Sequence, residues 1–254
     1  MNGDDIARKL DLLPGVPMDK VLNRLARAKG DEIGSGKIFN KNSSAIVAVN
    51  CFGWFLDRKG EFPGFDAIPG SDRPQEVEIE YSMQFPWAGG MHPWLDAAII
   101  TSSHLIAVES KRFEPFRDTK SAKFSDAYDR DVWGENMQGF QAIRDGLRSG
   151  ALIFRRLDAA QLVKHALGAF TQSRKTSLKA ALIYLFAEPP ELDGAGISDN
   201  ARRVHRDEVA RFADCCAGDD VQFVATSYRD WIAAWPTESP AKVHGDRLIR
   251  HFDL

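Results

Sequence analysis

Apolar residues recur three and four positions apart over 17–29 (Val21, Leu22, Leu25, Ala28), which predicts an amphipathic helix stopped by Gly30. Gly34 and Gly36 then open a loop. Ser43 and Ser44 are both suited to cap the next segment, 45–56. Its apolarity on nearly every side (Ile46, Val47, Val49, Phe52, Trp54, Phe55) predicts a buried helix, with a buried strand as the alternative for part of it. The Gly, Pro and Asp content of 60–74 predicts a long loop that is either functional or an insertion. Strict alternation follows at 76–85, where Val77, Ile79 and Tyr81 oppose Glu76, Glu78 and Glu80: a half-exposed strand. Beyond a break at 86–93, the apolar runs 95–101 and 105–108 are separated by Ser102, Ser103 and His104 and predict two central strands of one hairpin.

The second half turns helical. Segments 133–148 and 158–172 predict helices, the latter opened by the capping pair Asp158 and Gln161. The apolar run at 179–187 predicts a buried strand fed by a crossover helix. A helix at 200–217, a strand at 221–228 and a short helix at 231–235, ended by Pro236, complete the chain. The expected fold class is α/β, a mixed central sheet flanked by helices. We expect one domain over 1–254, with its core at about 18–187 and a helix–strand–helix extension at about 198–254.

Composition narrows the function classes. At 254 residues, 44% apolar, the chain has material for a full core, and no internal repeat recurs. A net charge of −3 gives no global basic signature for nucleic acid or an anionic membrane. Three cysteines, two of them adjacent (Cys215, Cys216), form neither a disulfide framework nor a paired C-x-x-C site. Asp4 and Asp5 stand where a signal peptide would be basic, and no apolar stretch reaches membrane-spanning length. The expectation is a cytoplasmic protein with no membrane partner. No H-E-x-x-H spacing, G-x-S-x-G elbow or Walker glycine loop occurs.

The informative constellation is Asp96 with Glu109, Ser110 and Lys111. A hairpin turn centred between Ser102 and Ser103 places Asp96 directly opposite Glu109, with Cβ atoms about 5 Å apart on one face and Lys111 pointing the same way. Two such carboxylates repel, and a divalent cation resolves the conflict: Mg²⁺ is typically held by one or two carboxylates plus phosphate oxygens and water. The main-chain carbonyl of Ser110 supplies a further oxygen. The other reading is an ordinary exposed ion pair between Glu109 and Lys111, with Asp96 near solvent.

The run PWLDAAIITSSHLIAVESKRFEP resembles the signature of the PD-(D/E)XK, restriction-endonuclease-like nuclease superfamily. Asp96 matches its first aspartate, and Glu109 and Lys111 match its E-x-K. Pro93 precedes Asp96 by three residues, so the literal Pro-Asp pair is absent. The continuation through Glu114 and Pro115 is similar to a bacterial branch of predicted restriction endonucleases with the motif E-x-K-x-x-E-P. The resemblance implies a restriction-endonuclease-like core and Mg²⁺-dependent cleavage of nucleic acid, DNA favoured, with Mn²⁺ as a substitute ion, in restriction, phage defence or repair. Asp96 and Glu109 would bind metal and Lys111 would assist attack. Cleaving both strands calls for two active sites or sequential nicking, and a homodimer would supply the two sites. The alternatives are a binding or scaffolding relative without turnover, and an unrelated α/β protein with an accidental motif.

Supporting residues each have two readings. Glu80 is a further metal ligand or part of the solvated face with Glu76 and Glu78; Glu32 is a weaker candidate of the same kind. Ser44 caps a helix or approaches phosphate, and Asn50 is a buried amide or a site residue. Glu114 is a repeated site acid or a surface carboxylate. Gln161, on one helical face with Lys164 and His165, is a catalytic-helix glutamine or a capping partner. Arg112, Arg117, Lys120 and Lys123, directly after the motif, are expected phosphate contacts, and Arg155, Arg156, Arg174, Lys175 and Lys179 form a looser second group. His92 and His104 are expected to be structural; Trp87 and Trp94, bracketing the loop before Asp96, are core residues or are placed to stack on a base. The site should lie in a locally positive groove.

Overall fold

The computed structural model describes residues 6, 8–28, 34, 36–89, 92–117 and 123–254. Its five-stranded sheet has the order β1-β2-β3-β4-β7. Strands β1 (Glu76–Ser82), β2 (Trp94–Ile100) and β3 (His104–Lys111) form an antiparallel meander, and β4 (Lys179–Phe186) and β7 (Val221–Ser227) add in parallel to β3. A two-stranded ribbon, β5 (Glu191–Leu192) and β6 (Ala195–Gly196), lies outside it. One face of the sheet is covered by α1 (Met18–Arg27), α2 (Ser44–Gly53), α6 (Tyr228–Ala233) and α7 (Pro240–Phe252). The other is covered by α3 (Gln138–Ser149), α4 (Ala159–Thr176) and α5 (Asp199–Cys215). This is the helix-flanked mixed α/β sheet that the residue pattern implies.

Alternation of side chains across the sheet separates two apolar cores. Ile106, Val108, Ala181, Ile183 and Leu185 pack towards α2, with Val47, Val49 and Phe52, whereas Ala107, Leu182 and Tyr184 pack towards α4, with Val163, Ala166 and Leu167. The hairpin register is the expected one, running from Ala97 opposite Val108 to Ile100 opposite Leu105. Strand β3 is longer than its apolar run, because the parallel partnership with β4 carries it through Glu109, Ser110 and Lys111.

Segment 45–56 is a helix, not a strand. Ser43 is its cap, accepting from the Ala45 amide at 3.2 Å, and the chain continues into a tighter 3₁₀ turn, Trp54–Asp57. Helix α1 ends at Arg27; the expected stop at Gly30 lies outside the described residues. The expected loop at 60–74 is a packed cover: Phe62, Phe65 and Ile68 are buried, and Trp231 Nε1 donates to the Gly64 carbonyl at 2.7 Å. The expected extension is built into the sheet, with β7 pairing along β4. Helix α7 escapes a reading of apolar periodicity, although Ser239 and Pro240 form a Ser cap followed by Pro at the first helical position, the signal that marks such a start.

Helix α3 begins five residues later than the expected 133, at Gln138. Gly134 has φ 74°, and a Cβ there would come 2.7 Å from Phe170 Cζ, so the segment before the helix is held in a non-helical conformation by a close approach to α4. The first turn of α3 is then satisfied from far away: Asp219 accepts from the amides of Gly139 (3.2 Å) and Phe140 (2.9 Å). Replacing Asp219 by Ala removes both acceptors and a favourable charge at a helix N-terminus, and is expected to cost about 1–2 kcal/mol, with Asn in its place retaining part of this. Urea denaturation of the three proteins is the measurement; equal midpoints for wild type and Asp219→Ala would disprove the capping role.

Candidate active site

The meander opens where the chemistry lies. The β2–β3 ladder ends at Ala97 and Val108, while β3 stays paired with β4 as far as Lys111 and Phe186. One edge of β3 therefore loses its backbone partner at the level of Glu109 to Lys111. Asp96 fills that gap: its Oδ2 accepts from the Ser110 amide at 2.7 Å. On the other side of β2, Glu80 has φ 50°, a left-handed conformation uncommon for a residue with a side chain. Ile79 and Ala97 pack in the core under α2, whereas Tyr81 and Leu95 pack in the core under α4. Both strands thus rotate at Asp96 and Glu80, and the rotation brings these two acids to the end of the sheet.

A cleft of about 470 Å³ opens there, lined among others by Asp96, Glu109, Lys111, Glu80, Glu114, Arg117 and Gln161. The constellation read from the sequence is thereby brought to one place, with Gln161 reaching it from the first turn of α4. Asp96 is not paired directly opposite Glu109 as the hairpin register implied, because the strands splay beyond Ala97 and Val108 and its carboxylate takes the Ser110 amide. Asp158 also caps that helix, accepting from the Gln161 amide at 3.0 Å, so the cap and the cleft position of Gln161 hold together.

Lys111 Nζ donates to Glu109 Oε1, and both side chains are buried. The other carboxylate oxygen, Oε2, lies 3.1 Å from His165 Nδ1, at an angle outside that of a hydrogen bond. Burial pushes the Glu109 carboxyl upwards, but the Lys111 ammonium and His165 outweigh it and bring it down to about 2. Burial likewise disfavours the Lys111 ammonium, and the charges of Glu109, Asp96 and Glu114 reverse this and hold it above its ordinary value. Asp96 goes the other way. Burial, then the charge of Glu109, lifts its carboxyl well above the usual aspartate range, with Glu80 adding to the lift and Lys111 and the Ser110 amide opposing it.

The donor set suits a hard divalent cation of the Mg²⁺ type. Among the described residues no group of three His, Cys, Asp or Glu side chains could by itself hold a metal ion. Mg²⁺ does not need such a cage; one or two carboxylates with waters and substrate phosphate suffice. Asp96 carries an excess of neighbouring negative charge that a cation would relieve. The Ser110 amide points to the β2 edge of β3, and its carbonyl shares that edge by strand geometry. The Ser110 side chain faces the opposite core, 2.7 Å from the Tyr228 hydroxyl.

The remaining candidates divide. Glu114 is in the site: it accepts from the Arg112 amide at 2.9 Å and from the Ser44 hydroxyl at 2.8 Å. Ser44 therefore ties α2 to the segment after β3, and Ser43 is the cap. Burial raises the Glu114 carboxyl, and Lys111 with these donors brings it below its ordinary value. Arg117 is exposed at the cleft, and Lys123 lies outside it, in a neighbouring cleft. Two expected phosphate contacts are occupied elsewhere. Arg112 is buried, its guanidinium donating to the carbonyls of Lys41 and Phe252. Asn50, fully buried, donates to the carbonyls of Asp11 and Ile46 and accepts from the Leu13 amide, so it is the structural amide. Glu32 and Lys120 lie outside the described residues.

Arg155 and Arg156 border a narrow pocket with Lys111 and Glu114, on a loop whose amides at 155, 156 and 157 all donate to the Glu208 carboxylate at 2.7–2.9 Å. Lys179 pairs with His104, at the end of the sheet opposite Lys111, and Arg174 and Lys175 line a separate surface. Among the described residues the cleft is lined by four carboxylates (Glu80, Asp96, Glu109, Glu114) against Lys37, Lys111 and Arg117. It is not the positive groove expected, since its floor is acidic apart from the buried Lys111 and the exposed cations Lys37 and Arg117 stand at its rim. Lys37, which no motif marks, and His165 were not among the expected site residues. His165 carried one signal: it follows Gln161 by four positions on the same helical face.

The chain was compared with known proteins. No curated protein and no solved structure gives a match. The family model described as Restriction Endonuclease associating with ARP matches residues 6–252, nearly the whole chain and including every element of the sheet. A buried Glu-x-Lys beside a strand-end aspartate sits within that match, and the chain belongs to this restriction-endonuclease family.

Proposed function

We propose that the protein is a Mg²⁺-dependent nuclease of the PD-(D/E)XK type, hydrolysing phosphodiester bonds of nucleic acid, DNA before RNA, in restriction, phage defence or repair. The observation that carries this is the juxtaposition of Asp96 and Glu109 at the splayed end of β2 and β3, with Lys111 bound to Glu109. Family membership supports it. Asp96, Glu109 and the Ser110 carbonyl would hold the ion, with Glu80 beside them. Bound Mg²⁺ supplies charge neutralisation on the phosphate and a lowered pKa for an attacking water.

The chain's own residues divide the rest of the work. Glu109 stays ionised at neutral pH because Lys111 and His165 face it. Lys111, held in its charged form, is a poor base; it acts as a fixed point charge that orients the water and opposes the charge developing on phosphorus. The charge of Glu114 helps keep Lys111 protonated, and its carboxylate ties the turn after β3 to α2 through Ser44. Gln161, from α4, is placed to donate to a phosphate oxygen or a water in the cleft. Arg117, Arg155 and Arg156 meet the flanking backbone. Two such sites for the two strands of a duplex would come from a homodimer.

Three outcomes test this. Lys111→Ala should lower the cleavage rate at least about a hundredfold and leave DNA affinity within a few-fold; absence of Mg²⁺-dependent cleavage by the wild type on duplex DNA, single-stranded DNA and RNA would sink the nuclease reading. Arg117→Ala should weaken DNA binding and reduce its salt dependence by roughly one counterion, whereas Arg112→Ala should lower the melting temperature; the reverse pattern would exchange their roles.

The third concerns pH. Because the folded-state pKa of Asp96 is raised, its contribution to stability is present below the unfolded value, near about 3.9, and is lost as pH rises through the folded value. Asp96→Asn should therefore stabilise the metal-free protein at pH 7, with the gain vanishing as pH falls below about 4. Mg²⁺ at a hundredfold excess over Kd should raise wild-type stability by about 2.7 kcal/mol and have a much smaller effect on Asp96→Asn. Calorimetric scans across pH, with and without Mg²⁺, read both effects, and a variant less stable than wild type at every pH contradicts the reading.

A further inference from the structure

A second cleft, of about 380 Å³, lies next to the catalytic one on the same side of α4, and His165 belongs to its wall. Gln161 lines the catalytic cleft, while Lys164 and His165, one turn further along α4, line this one. One turn is about 5.4 Å, a distance that one or two nucleotides of a stacked strand span at about 3.4 Å each.

The walls of this cleft are aromatic. Trp87 stacks on Phe85 with ring centroids 4.7 Å apart and planes at 21°. Tyr128 meets Phe85 edge-on at 5.4 Å and Trp87 at 5.3 Å. The Phe85 amide donates to His92 Nδ1 at 3.1 Å, beside the stacked rings. The platform is thus preformed. Phe85 and Tyr128 are buried, but Trp87 is only partly so, and around it are cations: Lys123 and Lys164 line the cleft, and the Arg130 guanidinium lies 5.8 Å from the Trp87 ring centroid, at the loose limit of a cation–π contact. A satellite core would seal the tryptophan under apolar groups. A rigid aromatic surface with a cationic rim instead matches how single-stranded nucleic acid is held, each base stacked and the backbone drawn by charge.

We propose that this cleft receives an unpaired nucleobase of the strand being cut, one or two nucleotides from the scissile phosphate, stacked on Trp87 with its backbone drawn by Lys123 and Lys164. The proposal rests on the nuclease reading and deepens it by naming the substrate class. A single strand, or a duplex opened by a mismatch, bubble or frayed end beside the cut, fills the cleft without breaking a base pair, whereas an intact duplex must first unpair and flip a base at a cost of a few kcal/mol.

The test is binding of the full-length protein to labelled DNA oligonucleotides by fluorescence anisotropy, with Ca²⁺ in place of Mg²⁺. Wild type should bind single-stranded and mismatched oligonucleotides more tightly than the paired duplex. Trp87→Ala should lose about 5- to 150-fold of single-strand affinity, the worth of one stacked base, while paired-duplex affinity changes by less than about twofold, and Trp87→Phe should retain most of it. A second measurement uses wild type alone: 2-aminopurine walked along a single-stranded oligonucleotide should change fluorescence at a position adjoining the mapped cut. If Trp87→Ala, with an unchanged melting temperature, binds single strands like wild type, or if no 2-aminopurine position responds, the base cleft is overturned while the nuclease reading stands. If wild type neither binds nor cuts any nucleic acid, the nuclease reading falls first and this proposal with it.

Discussion

Two carboxylates brought together at the ends of adjacent strands repel one another, and ionising both is costly without positive charge beside them. The structure meets this constraint unevenly. Lys111 reaches back two residues to Glu109, and His165 approaches from α4, so one carboxylate is compensated. Asp96 receives one backbone amide, and burial together with the charge of Glu109 holds its carboxyl well above the usual aspartate range. That imbalance would be a defect in a core; at the mouth of a cleft it is what the proposed cation would relieve. The bond from the Ser110 amide to Asp96 matters most here. It closes the ladder with a side chain in place of a backbone carbonyl, and so holds β2 and β3 apart where the site requires room.

The layers around the sheet keep that opening in place. Strands β3 and β4 continue together past the point where β2 departs, which fixes the direction of Glu109 and Lys111 independently of the hairpin. Helix α4, started by Asp158, delivers Gln161 and His165 to the α4 side of the sheet. Helix α2, started by Ser43, delivers Ser44 to Glu114 at the sheet end. Buried groups such as Glu208, Arg112 and Asn50 serve the same end from a distance. Each bonds backbone groups of distant segments: Glu208 the amides at 155–157, Arg112 the carbonyls of Lys41 and Phe252, and Asn50 those of Asp11 and Ile46. Their charge or polarity is used up in this work, and this is why residues of similar type within a few positions of one another differ so much in availability.

Charge in this protein is organised by depth. The floor of the cleft is acidic, with one buried ammonium; its rim carries Lys37 and Arg117, and Arg155 and Arg156 border the narrow pocket that shares Lys111 and Glu114 with it. The chain as a whole is slightly acidic. Under the proposed function a polyanion at the rim and a cation at the floor would be complementary demands, and this layering would meet both without a basic overall composition. The aromatic platform of Phe85, Trp87 and Tyr128 extends the same surface along α4.

The sequence by itself determined the elements whose signals are local. Period-two alternation marked β1, the serine turn fixed the β2–β3 register, and capping residues marked the starts of α2 and α4, because each depends on neighbours a few positions away. From that register it followed that Asp96 stands next to Glu109 and Lys111; the rotation of the strand at Asp96, which puts its carboxylate on the Ser110 amide and not opposite Glu109, did not follow from it. What only the tertiary structure decided is which polar side chains are available for chemistry. Asn50 and Arg112 looked as suitable as Gln161 and Arg117, but their partners are backbone groups up to 140 residues away, and nothing in a local pattern records them. The late start of α3 has the same origin, since its cap, Asp219, lies about eighty residues downstream. So has the contact of His165 with Glu109, made across two elements. Periodicity reports the face on which a side chain lies; whether that side chain is already bonded when a ligand arrives is settled by packing between segments far apart in the chain.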